Sequence, residues 1–147
     1  MSLKTREINK YYKCLVKGEF NKEGLYKGYL SKDSNTNKVT VTSNKTSDDC
    51  DLIETEYKLL EYKNNTSLVS VHLITGKSHQ IRAHIAYLGF PIIGDNKYGN
   101  KKLSSEFNKK YQMLHAYKII FPKYDDELSF DFSGKTFICE PQFRLSL

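Results

Sequence analysis

Residues 73 to 99 constrain this chain more than any other stretch. They read as a strand, a tight turn, a helix, a glycine-stopped helix end and a rigid loop. Thr75-Gly76 ends the strand. Ser78 is placed as the N-cap, because its hydroxyl can accept a backbone N–H from the first turn. Ile81, Ile85 and Leu88 recur at helical spacing and predict a buried stripe. Gly89 stands where a left-handed helix end belongs, and Pro91 follows as a stop. Lys77, His79, Gln80 and Arg82 then sit near the positive end of the helix dipole. That is a place for an anion, either a phosphate or the carboxylate of a partner.

The rest of the chain reads mostly as β-structure. Residues 10 to 18 form a strand that Gly18 ends, with Tyr12, Cys14 and Val16 on one face. Residues 25 to 30 make a short strand or turn, Asp33 to Asn37 is turn chemistry, and Val39 to Thr42 is a further β run. Asn44 to Asp51 is a polar loop. Ile53, Thr55, Tyr57 and Leu59 alternate with Glu54, Glu56 and Lys58, the pattern of a half-buried strand. Asn64-Asn65 is a hairpin turn without the usual Asn-Gly. The partner strand runs from Leu68 to Ile74, with Val69, Val71 and Leu73 on one face. A short helix is expected over Ser104 to Lys110 and a strand over Leu114 to Phe121. After a turn at Pro122 to Asp126, Leu128, Phe130 and Phe132 alternate with polar residues, and Gly134 closes that hairpin. Many strands, one principal helix and no repeated crossover predict an α+β fold with a mainly antiparallel or mixed sheet.

At 147 residues, the chain suits one domain or one half of a larger one. Met1-Ser2-Leu3 reads as an added leader, with the domain spanning residues 4–147. A formal charge of +6 on a chain with 27% charged residues gives a moderately basic surface that suits a polyanionic partner. No apolar run approaches the ~18 residues of a membrane span, so no membrane partner is expected. The N-terminus is charged and polar, unlike a signal peptide. Cys14, Cys50 and Cys139 are odd in number and widely spaced, which argues against both a disulfide framework and a zinc site. The compartment expected is the reducing cytoplasm.

Three apparent motifs fail on spacing. Gly76-Lys77-Ser78 resembles the end of a phosphate-binding loop, but that motif needs a glycine five residues before Gly76, where Val71 stands in a strand. His79 and His84 are five residues apart, a helical rotation of about 500°, so the rings diverge and no metal is expected. The carboxylates Asp48, Asp49 and Asp51, and the pair Asp125 and Asp126, fall in polar loops and read as solvated. Asp95 follows Gly94 and is expected to bond its own loop backbone.

Taken together, Thr75-Gly76-Lys77-Ser78-His79-Gln80-Ile81-Arg82-Ala83-His84, then Gly89-Phe90-Pro91-Ile92-Ile93-Gly94-Asp95, then Tyr98-Gly99, resemble the third motif block of the RluA/RluD-type RNA pseudouridine synthases. Lys77 stands where arginine is usual, so charge is kept and the planar two-pronged donor is lost. Lys10 to Gly18 resembles the family's Lys-x-Tyr block, with Cys14 in place of alanine. Thr55 and Tyr57 resemble its Thr-x-Tyr strand, Leu114-His115-Ala116 its Leu-His-Ala strand, and Pro141 its C-terminal proline. The motifs fall in the family's order from Lys10 to Phe143.

The resemblance implies an isomerase that detaches uracil from RNA, turns it and rejoins it through carbon, with no metal and no organic cofactor. It implies that Tyr12 stacks on the target base and that Arg82 ion-pairs with the nucleophilic aspartate. Leu114 would line the uracil pocket, and Lys10, Lys77, His79 and Gln80 would meet phosphate or backbone. By pattern alone Tyr12 reads first as a strand core residue, Arg82 as a surface helix charge and Leu114 as an ordinary core leucine. The family's aspartate lies in an Arg-Leu-Asp block before the Lys-x-Tyr strand, and no such block occurs here. The expectation is therefore the C-terminal half of a catalytic domain, a fragment inactive alone, with ribosomal or transfer RNA and the missing N-terminal half as partners. Self-association through an exposed sheet edge is a further expectation. The alternative function is a non-catalytic RNA-binding module.

Overall fold

The computed structural model describes residues 8–33, 35–36, 38–99, 112–122 and 134–141. Seven strands and one helix follow in chain order: β1 (Asn9–Lys17), β2 (Gly24–Asp33), β3 (Lys38–Thr42), β4 (Asp51–Lys63), β5 (Thr66–Leu73), α1 (Gln80–Tyr87), β6 (Leu114–Ile120) and β7 (Thr136–Ile138). The strands form one sheet in the order β3-β2-β4-β5-β1-β6-β7. Every pairing among them is antiparallel. The expected α+β class with a mainly antiparallel sheet and one principal helix is what the chain adopts. The helix expected over 104–110 and the strand expected over 128–132 lie outside the described residues, as do Asp125, Asp126 and Met1 to Leu3.

Period-two alternation places the core. In β4, Ile53, Thr55 and Tyr57 are buried while Glu56 and Lys58 are exposed. In β1 and β5, Cys14 and Val16 share a face with Val69 and Val71, and Tyr12 and Leu73 pack at its margin. Ile81 and Ile85 of α1 lie on that face, and Leu88 packs beside them. A second cluster, Leu30, Val39, Val41, Ile53 and Ala83, mounts the β2–β3 hairpin against the helix.

Two local devices set the register. Asn64 and Asn65 both adopt positive φ, 54° and 58°, as a two-residue turn matched to strand twist demands, and asparagine tolerates this without glycine. Between β1 and β6 the register slips at Tyr11/Tyr12: Tyr11 faces Lys118, while Tyr12 faces Ala116. The extra residue on β6, Tyr117, is a bulge beside Tyr12, a device that re-aims neighbouring side chains.

The helix departs from expectation at its start. It begins at Gln80, after His79 in the left-handed region (φ 58°), and no side chain caps it, so Ser78 is not the N-cap. A left-handed residue cannot continue a right-handed turn, which moves the boundary past Ser78. Its end is as expected. Gly89 (φ 101°) donates to the Ala86 carbonyl at 3.0 Å and Phe90 N–H to the Ile85 carbonyl at 3.0 Å, the paired bonds of a glycine-terminated helix. β2 is longer than the short strand expected.

If the helix is held by its buried stripe, Ile85→Ala should lower unfolding stability in urea by about 2–5 kcal/mol. Tyr87→Ala, on the half-exposed face, should change it by less than about 0.5 kcal/mol.

Candidate active site

The loop after α1 returns a carboxylate to the helix. Ile92 bridges to Val16, Ile93 N–H donates to the Leu15 carbonyl at 2.9 Å, and Met113 N–H donates to the Ile93 carbonyl at 2.8 Å. This lacing buries Asp95 beneath Arg82. The guanidinium grips it with two parallel bonds, Nε to Oδ2 at 2.8 Å and Nη2 to Oδ1 at 2.9 Å. Oδ1 also accepts the N–H groups of Lys97 at 3.0 Å and Tyr98 at 3.1 Å. Burial pushes the Asp95 carboxyl upward, but the Arg82 bonds, the two backbone N–H groups and the Arg82 charge hold it below its ordinary value. The bonds to Asp95 raise Arg82 in turn. Gly99 closes the loop on the Asp95 carbonyl oxygen, against which any Cβ would collide.

Gln80 ties the start of the helix to the sheet. Its Oε1 accepts the Thr75 hydroxyl at 2.8 Å and Lys77 N–H at 3.1 Å. Its Nε2 donates to the Glu54 carbonyl at 3.0 Å and to Thr55 Oγ1 at 2.9 Å. All four hydrogen-bonding places of the amide are filled. Thr55 Oγ1 lies 2.9 Å from His84 Nδ1, and burial lowers His84 to a pKa of about 4, so the ring is neutral. Having accepted the Gln80 amide proton, the Thr55 hydroxyl keeps its own proton for Nδ1.

A cavity of about 360 Å³ opens beside α1. Tyr12, Leu73, Ile81 and Leu114 give it apolar walls; Lys77, His79, Gln80, Arg82 and Gln112 give it a polar and cationic side. Such a lining suits a flat ring with apolar faces and an anionic tail. Arg82 spends two of its five N–H donors on Asp95, so the remaining donors are available to a second anion. His79 Nδ1 lies 2.9 Å from the Tyr98 hydroxyl. Desolvation, then the charges of Arg82, Lys97 and Lys32, lower the His79 pKa, against a raising contribution from Asp95. A neutral ring can accept a hydrogen bond from the Tyr98 hydroxyl at Nδ1.

Six of the seven residues singled out by sequence line this cavity: Tyr12, Lys77, His79, Gln80, Arg82 and Leu114. Lys10 lines a neighbouring cavity of about 390 Å³ that shares Leu73 and Lys77 with the first. Gln80 is a correction: its side chain is consumed in joining strand to helix and has no capacity left for phosphate. Asp95 bonds its own loop as expected, and it is also the carboxylate that answers Arg82. The signal, an arginine thirteen residues before a glycine-flanked aspartate, gives no hint of pairing until the loop folds back. Tyr98 was placed in a motif and given no role.

Asp95→Ala should cost about 3–5 kcal/mol, read by urea unfolding, because it strands a partly buried guanidinium. The pH dependence has a definite sign. His84 titrates at about 4 when folded, against an ordinary 6.5, so protons favour the unfolded chain. Stability is full above pH 6.5 and is lost as pH falls toward 4, and His84→Gln should flatten that limb of the profile. The Asp95 contribution is lost only at lower pH, since its folded value lies under the ordinary 3.8.

Comparison with known proteins places the chain in a family. The family model described as RNA pseudouridylate synthase matches residues 1–87. An uncharacterised RNA pseudouridine synthase of Mycoplasma genitalium is 38% identical over 123 residues, covering 82% of this chain and 38% of that protein. The ribosomal large subunit pseudouridine synthase D of Borreliella burgdorferi is 36% identical over 117 residues, covering 79% of this chain and 34% of that protein. The chain thus spans little more than a third of the length of these curated relatives. Among solved structures, human RNA pseudouridylate synthase domain containing 4 superimposes with a TM-score of 0.68 at 19% identity, covering 94% of this chain and 60% of that one. Human RNA pseudouridylate synthase domain containing 1 gives 0.67 at 22%, covering 92% and 63%. At those identities the likeness concerns the fold. The matched family model, the sequence relatives and the strand-to-helix block around Arg82 lead to one conclusion: this chain belongs to the RNA pseudouridylate synthase family.

Proposed function

We propose that residues 4–147 act as the C-terminal part of a catalytic domain that isomerises uridine to pseudouridine in RNA. In this reading the chain supplies the tyrosine and arginine wall of the active site, and the nucleophilic aspartate comes from a separate segment. One observation carries it: the 360 Å³ cavity gathers Tyr12, Arg82 and Leu114, yet no carboxylate is among the described residues that line it. Tyr12 would stack on the uracil between Leu73 and Leu114. Arg82, braced from behind by Asp95, would present its remaining donors to the incoming aspartate and hold it ionised. The apolar residues Phe137 and Ile138, exposed on the edge strand β7, offer a place for the other segment to pack. Ribosomal RNA is favoured as substrate, because the Borreliella relative is a ribosomal large subunit pseudouridine synthase. The three free thiols suit a reducing compartment, and we assign the cytoplasm.

The test is tritium release from RNA labelled at carbon 5 of uridine. The chain alone should release none. Adding the aspartate-bearing half of a full-length relative should start turnover, and Arg82→Met or Tyr12→Ala in this chain should abolish it. Robust release by the chain alone would refute an externally supplied nucleophile. RNA binding without release in the mixture would favour the non-catalytic module instead.

A further inference from the structure

One cationic cluster extends beyond the residues given roles by the family resemblance, to Lys32 and Lys38 of the β2–β3 hairpin, and Tyr98 is at its centre. The tyrosine ring receives two cations: Arg82 Cζ lies 5.1 Å and Lys38 Nζ 5.7 Å from its centroid. The His79 ring meets it edge-on at 5.6 Å. Its hydroxyl accepts Val39 N–H at 3.1 Å and bonds His79 Nδ1 at 2.9 Å. Tyr98 therefore fastens the β2–β3 hairpin to the start of α1. The hairpin is firmly seated: Leu30, Val39 and Val41 pack with Ala83 of the helix, and Tyr98 packs against that cluster.

Among the described residues, the hairpin cations Lys32 and Lys38 have no carboxylate partner. Lys32 and Lys38 are exposed on the hairpin and take part in none of the ion pairs that engage Lys13, Lys27, Lys45, Lys77 and Arg82. The hairpin's own carboxylate, Asp33, accepts Asn35 N–H at 2.9 Å in its turn. Asp95 is buried and committed to Arg82 and two backbone N–H groups. Desolvation first, then the charges of Arg82, Lys97 and Lys32, disfavour protonation of His79, and the part due to those charges is a positive field that also attracts an anion. His79 also adopts a left-handed backbone (φ 58°), a strained conformation of the kind that persists where the surroundings enforce it.

We propose that Tyr98 organises a phosphate-binding patch, formed by Lys32, Lys38 and His79, that grips the RNA backbone next to the nucleotide held in the cavity. It rests on the reading that the cavity takes a nucleotide of RNA, because His79 and Arg82 belong to both. In the tautomer whose Nδ1 accepts from the Tyr98 hydroxyl, the neutral His79 ring carries its proton on Nε2 and can donate it to a phosphate oxygen. Lys32 and Lys38 add two mobile charges on a rigid mount. The patch reads backbone rather than base, so it contributes affinity and register without sequence preference.

The test is fluorescence anisotropy with a labelled single-stranded oligouridylate RNA, titrated with the chain across a series of KCl concentrations. The variants are Lys32→Ala/Lys38→Ala, Lys10→Ala/Lys77→Ala, and Lys58→Ala, which is exposed on the other face of the sheet. Removing two phosphate contacts should weaken binding on the order of tenfold at low salt and reduce the log–log salt slope by about 1.4. Lys58→Ala should bind as the unaltered chain does. Equal binding and slope for Lys32→Ala/Lys38→Ala, while Lys10→Ala/Lys77→Ala weakens, would overturn the patch and leave RNA binding at the cavity standing. Equal weakening by Lys58→Ala would also overturn it, since the effect would then be one of net charge. Failure of the unaltered chain to bind this RNA would overturn both the patch and the reading on which it rests.

Discussion

A guanidinium taken largely out of water has to be answered, and in this chain Asp95 answers Arg82. The pair has the fork-to-fork geometry that makes arginine and carboxylate bonds strong and directional. Its consequences spread in both directions. Asp95 must be brought under the helix, so the loop from Pro91 to Gly99 is laced to β1 and closed tightly at Gly99. Arg82, held from behind, keeps one edge of its fork for the cavity. Asp95 thus serves as a brace for Arg82 and leaves that edge unspent.

A second constraint comes from the sheet. Adjacent residues on a strand face opposite ways, so only one of Tyr11 and Tyr12 can enter the cavity. Tyr12 shares its face with Cys14 and Val16, and it lies with Leu73 and Leu114 at the cavity wall. Tyr11 faces the other side, stacked on His72 at 4.4 Å and covered by Lys118 at 4.4 Å. The bulge at Tyr117 intervenes at this step of the ladder. The helix is tied to the same sheet by Gln80, whose amide spans Thr75, Lys77, Glu54 and Thr55. Walls and cations therefore rest on one hydrogen-bonded frame, and the β2–β3 hairpin joins it through Tyr98.

Local patterns carried most of the fold. Alternation in β4, the asparagine turn before β5, the apolar stripe of α1 and the glycine at its end are all properties of neighbouring residues, and each is realised. The departures have identifiable causes. Gly24 and Gly28 interrupt the pattern of β2, so it reads as a fragment; pairing to β3 on one side and β4 on the other extends it to ten residues. Ser78 has the chemistry of a helix cap, but the left-handed His79, bonded to Tyr98, moves the helix start beyond it.

By itself the sequence determined the class of fold, the strand-to-helix block at residues 73 to 99, and the family to which that ordered set of motifs points. Those are matters of period, turn chemistry and spacing, which short-range sterics and burial enforce. Tertiary structure alone decided which polar groups remain for a ligand. Gln80 lines the cavity with its amide already bonded to the strand and turn, Asp95 stands behind Arg82, and Tyr98 is the link between hairpin and helix. The reason is physical: hydrogen bonds and charge pairs act over a few ångströms in space. The residues that satisfy one another here are brought together only when loop, helix and sheet close.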